Sequence, residues 1–374
     1  MIFKIKNVVA DSGLLNKCIT QMIILFLVLV VTAAGFCGFF SKWALRDGDR
    51  HFGIDRMING TASRPFVHRQ LIPKVTKTII KNLPHNVKKN LTNKLQKEMH
   101  FNNIYAKTKI PKGMVLEYYL VVIITFVFFY ASVIVLASTL AKVTGDKISG
   151  YLTSLLFALL IPFLEAYGGY YYDFAELFFL FSAANLALNG FWKPLIVLSV
   201  FALANKEAYF WFLPTLYPFF SEKYYSRKTI FIIFGCMFLC GIEYLYISQL
   251  YSGNAGGATF HWFLKNLKSL VSLKFYFNID TTYGLPLGYG FFFIHIVYVF
   301  WVFRNGWRKL PDSLKKHIKI ASAINIPLYL LFCYPGEVRN LSLLYFGFNV
   351  MIAFIIKNVL DKRNIDSFQT KISC

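Results

Sequence analysis

The chain is cut into a series of apolar runs, each about 20 residues long and nearly free of charge. The first is 21–40, QMIILFLVLVVTAAGFCGFF. Others follow at about 115–141, 149–167, 172–190, 229–251, 286–303, 317–334 and 343–359. A helix of that length spans the hydrocarbon core of a bilayer, and only a helix or a closed barrel satisfies its own backbone there. The pattern predicts an all-α fold, a polytopic transmembrane helical bundle of about 8–10 spans.

Composition agrees. Hydrophobic residues make up 56% of the 374 and charged residues 16%, against about 25% charged in ordinary globular chains. A disordered chain, a disulfide-stapled secreted domain and an ordinary cytosolic enzyme are excluded. The net charge of +22 invites a nucleic-acid partner. The basic residues flank the apolar runs, however, where topology signals and anionic lipid headgroups account for them. Membrane lipids are therefore expected as partners, and nucleic acid is not. Cys236 and Cys240 lie four apart without a histidine cluster, which reads as helix packing rather than a zinc site.

The whole chain, 1–374, reads as a single integral membrane domain. It divides into a cytoplasmic tail 1–20, an outer loop 41–114, a helical bundle 115–359 and a cytoplasmic tail 360–374. The first run is long for a cleaved leader and reads as a retained anchor. One segment is ambiguous: 193–220, KPLIVLSVFALANKEAYFWFLPTLYPFF, is interrupted by Lys206 and Glu207. It is one kinked span or two short helices that enter and leave from one side. The second choice puts the five basic residues of loop 304–316 on the cytoplasmic side and gives ten crossings, with both termini inside. The 41–114 loop holds 16 Lys and Arg against four acids. Loops beyond about 60 residues translocate largely regardless of charge, so it stays outside.

That loop has internal order. In QLIPKVTKTIIKNL, Ile72, Val75, Ile79 and Leu83 form one stripe, as expected of an interfacial amphipathic helix. Val87, Leu91, Leu95 and Met99 point to a second, and TFHWFLKNLKSLVSL in the 252–285 loop to a third.

Ionisable residues within apolar spans are costly, so each is a candidate for function. In this topology they collect on the outer side. Glu165 ends one span, Asp173 and Glu176 share one face at the start of the next, and Lys206 and Glu207 sit at the apex of the broken pair. Glu337 and Arg339 lie in the short loop before the last span. The first loop adds Asp47, Asp49, Asp55, Arg64, His68 and Arg69. Glu243 and His295, also inside apolar runs, read as satisfied polar groups between helices. Carboxylates beside cations at a lipid boundary suit an enzyme acting on a lipid-linked phosphate: a carboxylate takes a proton from a hydroxyl, and Arg or Lys meets the charge of a phosphate leaving group. Asp173 and Glu176 can equally pair with Lys206 or Arg339 as structural ion pairs. The tyrosines of YGGYYYD fit an interfacial belt or a surface for sugar rings.

One span followed by an outer loop that opens DGDRHFGID resembles the GT-C membrane glycosyltransferases. GTASRPFVHRQLIP, YYYDFAEL and ANKEAYFWFLP resemble segments of bacterial membrane proteins linked to cell-surface glycopolymer formation. The resemblance implies a base or metal ligand at Asp47 or Asp49, with a divalent cation, Mg or Mn, as the one cofactor it admits. It implies a sugar donor linked to polyprenyl phosphate, a glycan or lipid-linked acceptor, and the outer face of a bacterial inner membrane. Arg64, His68, Arg69, Glu165, Asp173, Glu176, Lys206, Glu207, Glu337 and Arg339 are the expected substrate-binding residues. Two alternatives stay open: an O-antigen or capsule polymerase joining lipid-linked repeat units, and a flippase or transporter of a lipid-linked or anionic substrate.

Overall fold

The computed structural model of the protein describes residues 2–43, 45, 51–97, 112–165, 169–257, 261–280, 287–288 and 290–372. Among them the regular structure is helical apart from a two-residue antiparallel pair, Ile279–Asp280 with Leu287–Gly288, and an isolated bridge between Arg64 and Gly256.

Helix α1 (Ile2–Trp43) runs without a break through the expected tail and first span. The last helix likewise continues to Ile372, through the expected second tail. Neither stretch contains a proline to end it. The first loop carries α2 (Ile54–Asn59), a 3₁₀ turn at Phe66–His68, α3 (Leu71–Asn82) and α4 (His85–Lys97). The bundle follows with α5 (Val115–Thr144), α6 (Lys147–Leu164), α7 (Tyr171–Leu188) and α8 (Trp192–Asn205). Short helices α9 (Ala208–Phe212) and α10 (Tyr217–Ser221) lead to α11 (Ser226–Leu250). Then come α12 (Phe263–Leu270), α13 (Leu273–Tyr276), α14 (Phe293–Gly306), α15 (Asp312–Phe332), a 3₁₀ segment Val338–Leu344 and α16 (Tyr345–Ile372).

Five stretches among the described residues are long and apolar enough to cross a membrane: Cys18–Trp43, Val115–Thr144, Lys147–Leu164, Ser226–Leu250 and Val338–Lys362. The protein is therefore an integral membrane protein with a polytopic helical bundle. Helices α7, α8, α14 and α15 are shorter or carry charge; α7 is largely buried, while α14 packs on α16 and leaves most of its residues exposed. Helices α5, α6 and α7 form the centre, with α1 and α16 packed on α6 and α8 on α7. Backbones approach closely where side chains are small. A Cβ on Gly35 of α1 would stand 2.1 Å from the Ala158 carbonyl oxygen of α6. One on Gly150 would stand 2.6 Å from the Ala141 nitrogen of α5. Small residues at such crossings are what van der Waals association of membrane helices requires.

The 193–220 segment is broken, not kinked. Helix α8 ends at Asn205, Lys206 is extended (φ −159°, ψ 132°), and the chain resumes as α9. Pro214 and Pro218 stand in the first turns of the pieces that follow, where a missing N–H costs nothing. The two ends meet again: the Tyr224 hydroxyl donates to the Gly190 carbonyl at 2.7 Å. The segment therefore leaves and returns to the same end of the bundle. That end also holds Lys142, whose ammonium donates to Asn189, and Lys357, whose ammonium donates to the Thr144 carbonyl at 2.6 Å.

At the other end, two connections are sewn together. Arg64 N–H donates to the Ala255 carbonyl at 2.8 Å. Asn254 Nδ2 donates to the Gly60 and Ala62 carbonyls at 2.9 and 2.8 Å, and the Tyr251 hydroxyl to Gln70 Oε1 at 2.9 Å. In α3 only part of the expected apolar stripe is covered: Ile72 is buried, while Val75 and Ile79 are exposed. Helix α14 begins later than its apolar run, because Gly290 (φ +48°) turns against Gly336, whose carbonyl oxygen lies 2.4 Å from where a Cβ would sit. His295, expected near the middle of a span, is thereby in the first turn, its Nδ1 3.0 Å from the Gly290 carbonyl oxygen.

The tight turn between α5 and α6 is held by Asp146, whose carboxylate accepts from Ser149 N at 2.8 Å and Ile148 N at 3.2 Å. The bond from the Ser149 amide holds the Asp146 carboxyl below its usual range. Asp146→Ala is expected to lower stability by about 1 kcal/mol, as loss of a helix N-cap does. Because the folded value is depressed, this contribution is complete above the ordinary aspartate range and fades as pH falls through the lowered value. Unfolding of both proteins in detergent between neutral and acid pH checks this; a gap that does not close in acid contradicts it.

Candidate functional site

Helix α7 is capped by Tyr170 and opens with two more tyrosines and two acids. The spacing of three puts Asp173 and Glu176 on one face, in the first turns of a helix buried on nearly every side. Asp173 closes a capping box with Tyr170, whose N–H donates to Oδ2 at 2.9 Å. Lys206 meets both acids from the break between α8 and α9, with its Nζ 2.8 Å from Asp173 Oδ1 and 2.5 Å from Glu176 Oε2. The extended backbone at Lys206 turns the chain there, and Asn205 fixes the turn by donating to the Tyr172 carbonyl at 2.8 Å. The Ser342 hydroxyl donates to Glu176 Oε1 at 2.9 Å. Arg339 stands 3.4 Å from Asp173 Oδ2 and 3.1 Å from Glu337 Oε1. All three cluster members Asp173, Glu176 and Lys206 are buried, as is Arg339.

A second ion pair flanks the first. Arg69 holds Glu207 with two nitrogens, at 2.5 and 3.1 Å, the planar fork that guanidinium offers a carboxylate. It also donates to the Tyr172 hydroxyl. The two arginines and two tyrosines form a column. Arg339 lies 4.6 Å over the Tyr170 ring, Tyr170 stacks on Tyr172 at 4.9 Å with 10° between planes, and Arg69 lies 4.3 Å over Tyr172. Cations over aromatic faces are favoured most where water is excluded.

These groups line one cavity of about 650 Å³. Its charged walls are Arg69, Asp173, Glu176, Lys206, Glu207, Glu337 and Arg339, and its aromatic walls include Phe52, Phe66, Tyr170, Tyr172, Trp211, Trp262 and Tyr334. A second cavity of about 460 Å³ is mainly apolar and opens between α6, α14, α15 and α16. The Val338–Leu344 segment is the wall between them: Arg339, Ser342 and Leu343 line the charged cavity, while Val338, Leu341 and Leu344 line the apolar one.

Of the residues expected at the site, seven thus converge on one cavity. Three others are placed apart from its lining. Arg64 is turned away and donates to the Asn254 and Gly256 carbonyls at 2.9 and 2.8 Å, tying two connections together. His68 is buried edge-on against the Tyr244 ring at 5.8 Å. Neither of its ring nitrogens has a hydrogen-bond partner among the described residues, and burial pushes its imidazole below the usual value. Glu165 is buried behind the lining, with Oε2 2.8 Å from where a Cβ on Gly169 would sit. Asp47 and Asp49 lie outside the described residues. Among the described residues no three or more His, Cys, Asp and Glu are arranged as a metal site.

Sequence reasoning missed Asn205, Ser342, Trp211, Trp262 and Tyr334. Ser342 and Asn205 carry no pattern of their own. The aromatic residues are hidden in a chain with 40 Phe and 23 Tyr. In comparisons with family models, curated proteins and solved structures, nothing matches the chain.

Removing one partner from a buried ionic cluster strands the others, at about 3–5 kcal/mol. Lys206→Met is expected to destabilise the protein by that amount in detergent unfolding. Adding Asp173→Asn and Glu176→Gln to it is expected to recover much of the loss. A Lys206→Met protein as stable as wild type contradicts the cluster.

Proposed function

We propose that the protein is a membrane glycosyltransferase that takes a sugar from a polyprenyl-phosphate donor and passes it to a surface glycan or lipid-linked acceptor on the outer face of a bacterial inner membrane. The observation that carries this reading is the pairing of two cavities across one wall. A charged, aromatic chamber suits a sugar phosphate, and the apolar one beside it suits a hydrocarbon chain. The basic residues at the far end, Lys142 and Lys357 with the Lys223 and Arg227 turn, favour that end as cytoplasmic. The cavity then faces outward, with α3, α4 and α12 near the outer membrane surface.

In the reaction an acceptor hydroxyl oxygen attacks the anomeric carbon, the bond from that carbon to the phosphate oxygen breaks, and polyprenyl phosphate leaves with the electron pair. A carboxylate takes the hydroxyl proton. Asp173 and Glu176 are poor choices, since Lys206, Ser342 and the Tyr170 amide already occupy their lone pairs. Asp47 or Asp49 is the base in this reading, and Asp49 stands three residues before Phe52, which lines the cavity. Arg69 and Arg339 meet the phosphate by releasing Glu207 and Glu337 in part. Glu207, released in part by Arg69, orients sugar hydroxyls. A divalent cation would sit at the first-loop acids.

The same outer-face chemistry serves a polymerase that joins whole repeat units, and product analysis separates the two. The test is the surface-glycan profile of a deletion strain, complemented with wild type and with Asp49→Asn. The expected outcome is a glycan that lacks one sugar in the deletion strain and is restored only by wild type. Single repeat units in place of polymer would move the assignment to a polymerase. An unchanged profile, or full rescue by Asp49→Asn at normal membrane levels, would overturn it.

A further inference from the structure

The mouth of the charged cavity has a feature that the transfer chemistry does not use. Helix α12 is pinned across the end of α15. The Trp262 N–H donates to the Leu331 carbonyl at 2.8 Å, and Asn266 Nδ2 donates to the Leu330 and Cys333 carbonyls at 3.0 and 2.9 Å. These are carbonyls at a helix terminus, where the helix itself supplies no partner. Asn266 is buried, so the clamp is built into the fold.

The clamp fixes Trp262 edge-to-face with Tyr334, ring centroids 5.1 Å apart and planes at 76°. Both rings line the cavity. In the corner they make, the Lys265 ammonium sits 4.5 Å from the Trp262 ring centre and 4.3 Å from that of Tyr334. Lys265 is exposed and forms no ion pair among the described residues. The interior cations differ in this respect: Arg69, Lys206 and Arg339 are each paired with carboxylates. The rim therefore offers what the interior does not, a cation open to an incoming anion and framed by two aromatic faces.

We propose that Trp262, Tyr334 and Lys265 form a binding subsite for a glycan that carries a carboxylate, a uronic acid residue. On binding, the Lys265 side chain swings out of the corner to meet the carboxylate, and the pyranose ring takes its place with its C–H groups against the negative ring faces. The subsite rests on the transferase reading only for its role, as the place of the acceptor. Its ligand class follows from the rim itself.

The test uses the full chain in lipid nanodiscs on an array of neutral and uronic-acid oligosaccharides, so that binding is read without any transfer reaction. Wild type is expected to retain uronic-acid glycans at least tenfold better than neutral ones. Lys265→Gln, a change on an exposed side chain, is expected to abolish that preference and keep the neutral binding. Trp262→Ala is expected to lower both by tenfold or more, and Trp262→Phe to restore most of it. Equal retention of both classes by wild type, no retention at all, or an unchanged preference in Lys265→Gln would overturn the subsite. A glycan profile unaltered in the deletion strain, with rim binding intact, would instead overturn the transferase reading alone.

Discussion

A single ammonium group, that of Lys206, makes this arrangement of helices tolerable. Asp173 and Glu176 enter an apolar bundle together, and two bare carboxylates there would cost far more than the packing of α7 returns. Lys206 reaches both because the helix before it stops at Asn205. An unbroken 193–220 helix would give Lys206 a helical backbone in place of the extended one that turns it here. The break, the ion cluster and the cavity are thus one construction. Broken helices are stable in membranes only where they line a protected cavity, and this one does.

Around that centre, cation–aromatic stacking does the joining. Arg339 belongs to the last connection, Tyr170 and Tyr172 to the N-cap and first turn of α7, and Arg69 to the first loop, so the column ties three distant parts of the chain together. Arg64 and Asn254 add a second seam on the same side. The result is a charged chamber beside an apolar one, with Val338–Leu344 as the shared wall. In the proposed transferase, polar groups held in place beforehand would supply what charge-separating chemistry in a dry site requires.

Much of this was legible in the residues. The apolar runs mark the helices, because a membrane span has few ways to be written. The Lys206–Glu207 interruption marks the break, and the gathering of charge near Asp173, Glu176 and Arg339 follows once each ionisable residue in an apolar run is treated as costly. Other features had no signal. Arg64 looks like Arg69, five residues on, yet one meets backbone carbonyls and the other a carboxylate. The difference lies in which distant loop each one faces. His68 lies between them and is buried, its ring nitrogens without a hydrogen-bond partner among the described residues. The alternation of Val338–Leu344 between two cavities depends on a 3₁₀ turn that hydropathy does not reveal. Helix α14 starts late for a reason in another connection, the close contact of Gly290 with Gly336.

The most direct measurement is a photo-crosslinking map. The reconstituted protein is irradiated with a polyprenyl-phosphate sugar that carries a photoreactive group on its phosphate side, and the labelled peptides are read by mass spectrometry. The account predicts labels on Tyr170–Glu176 and Val338–Leu344, with free polyprenyl phosphate competing for them. Labels confined to the outer surface of α11, or to the basic end of the bundle, would contradict it.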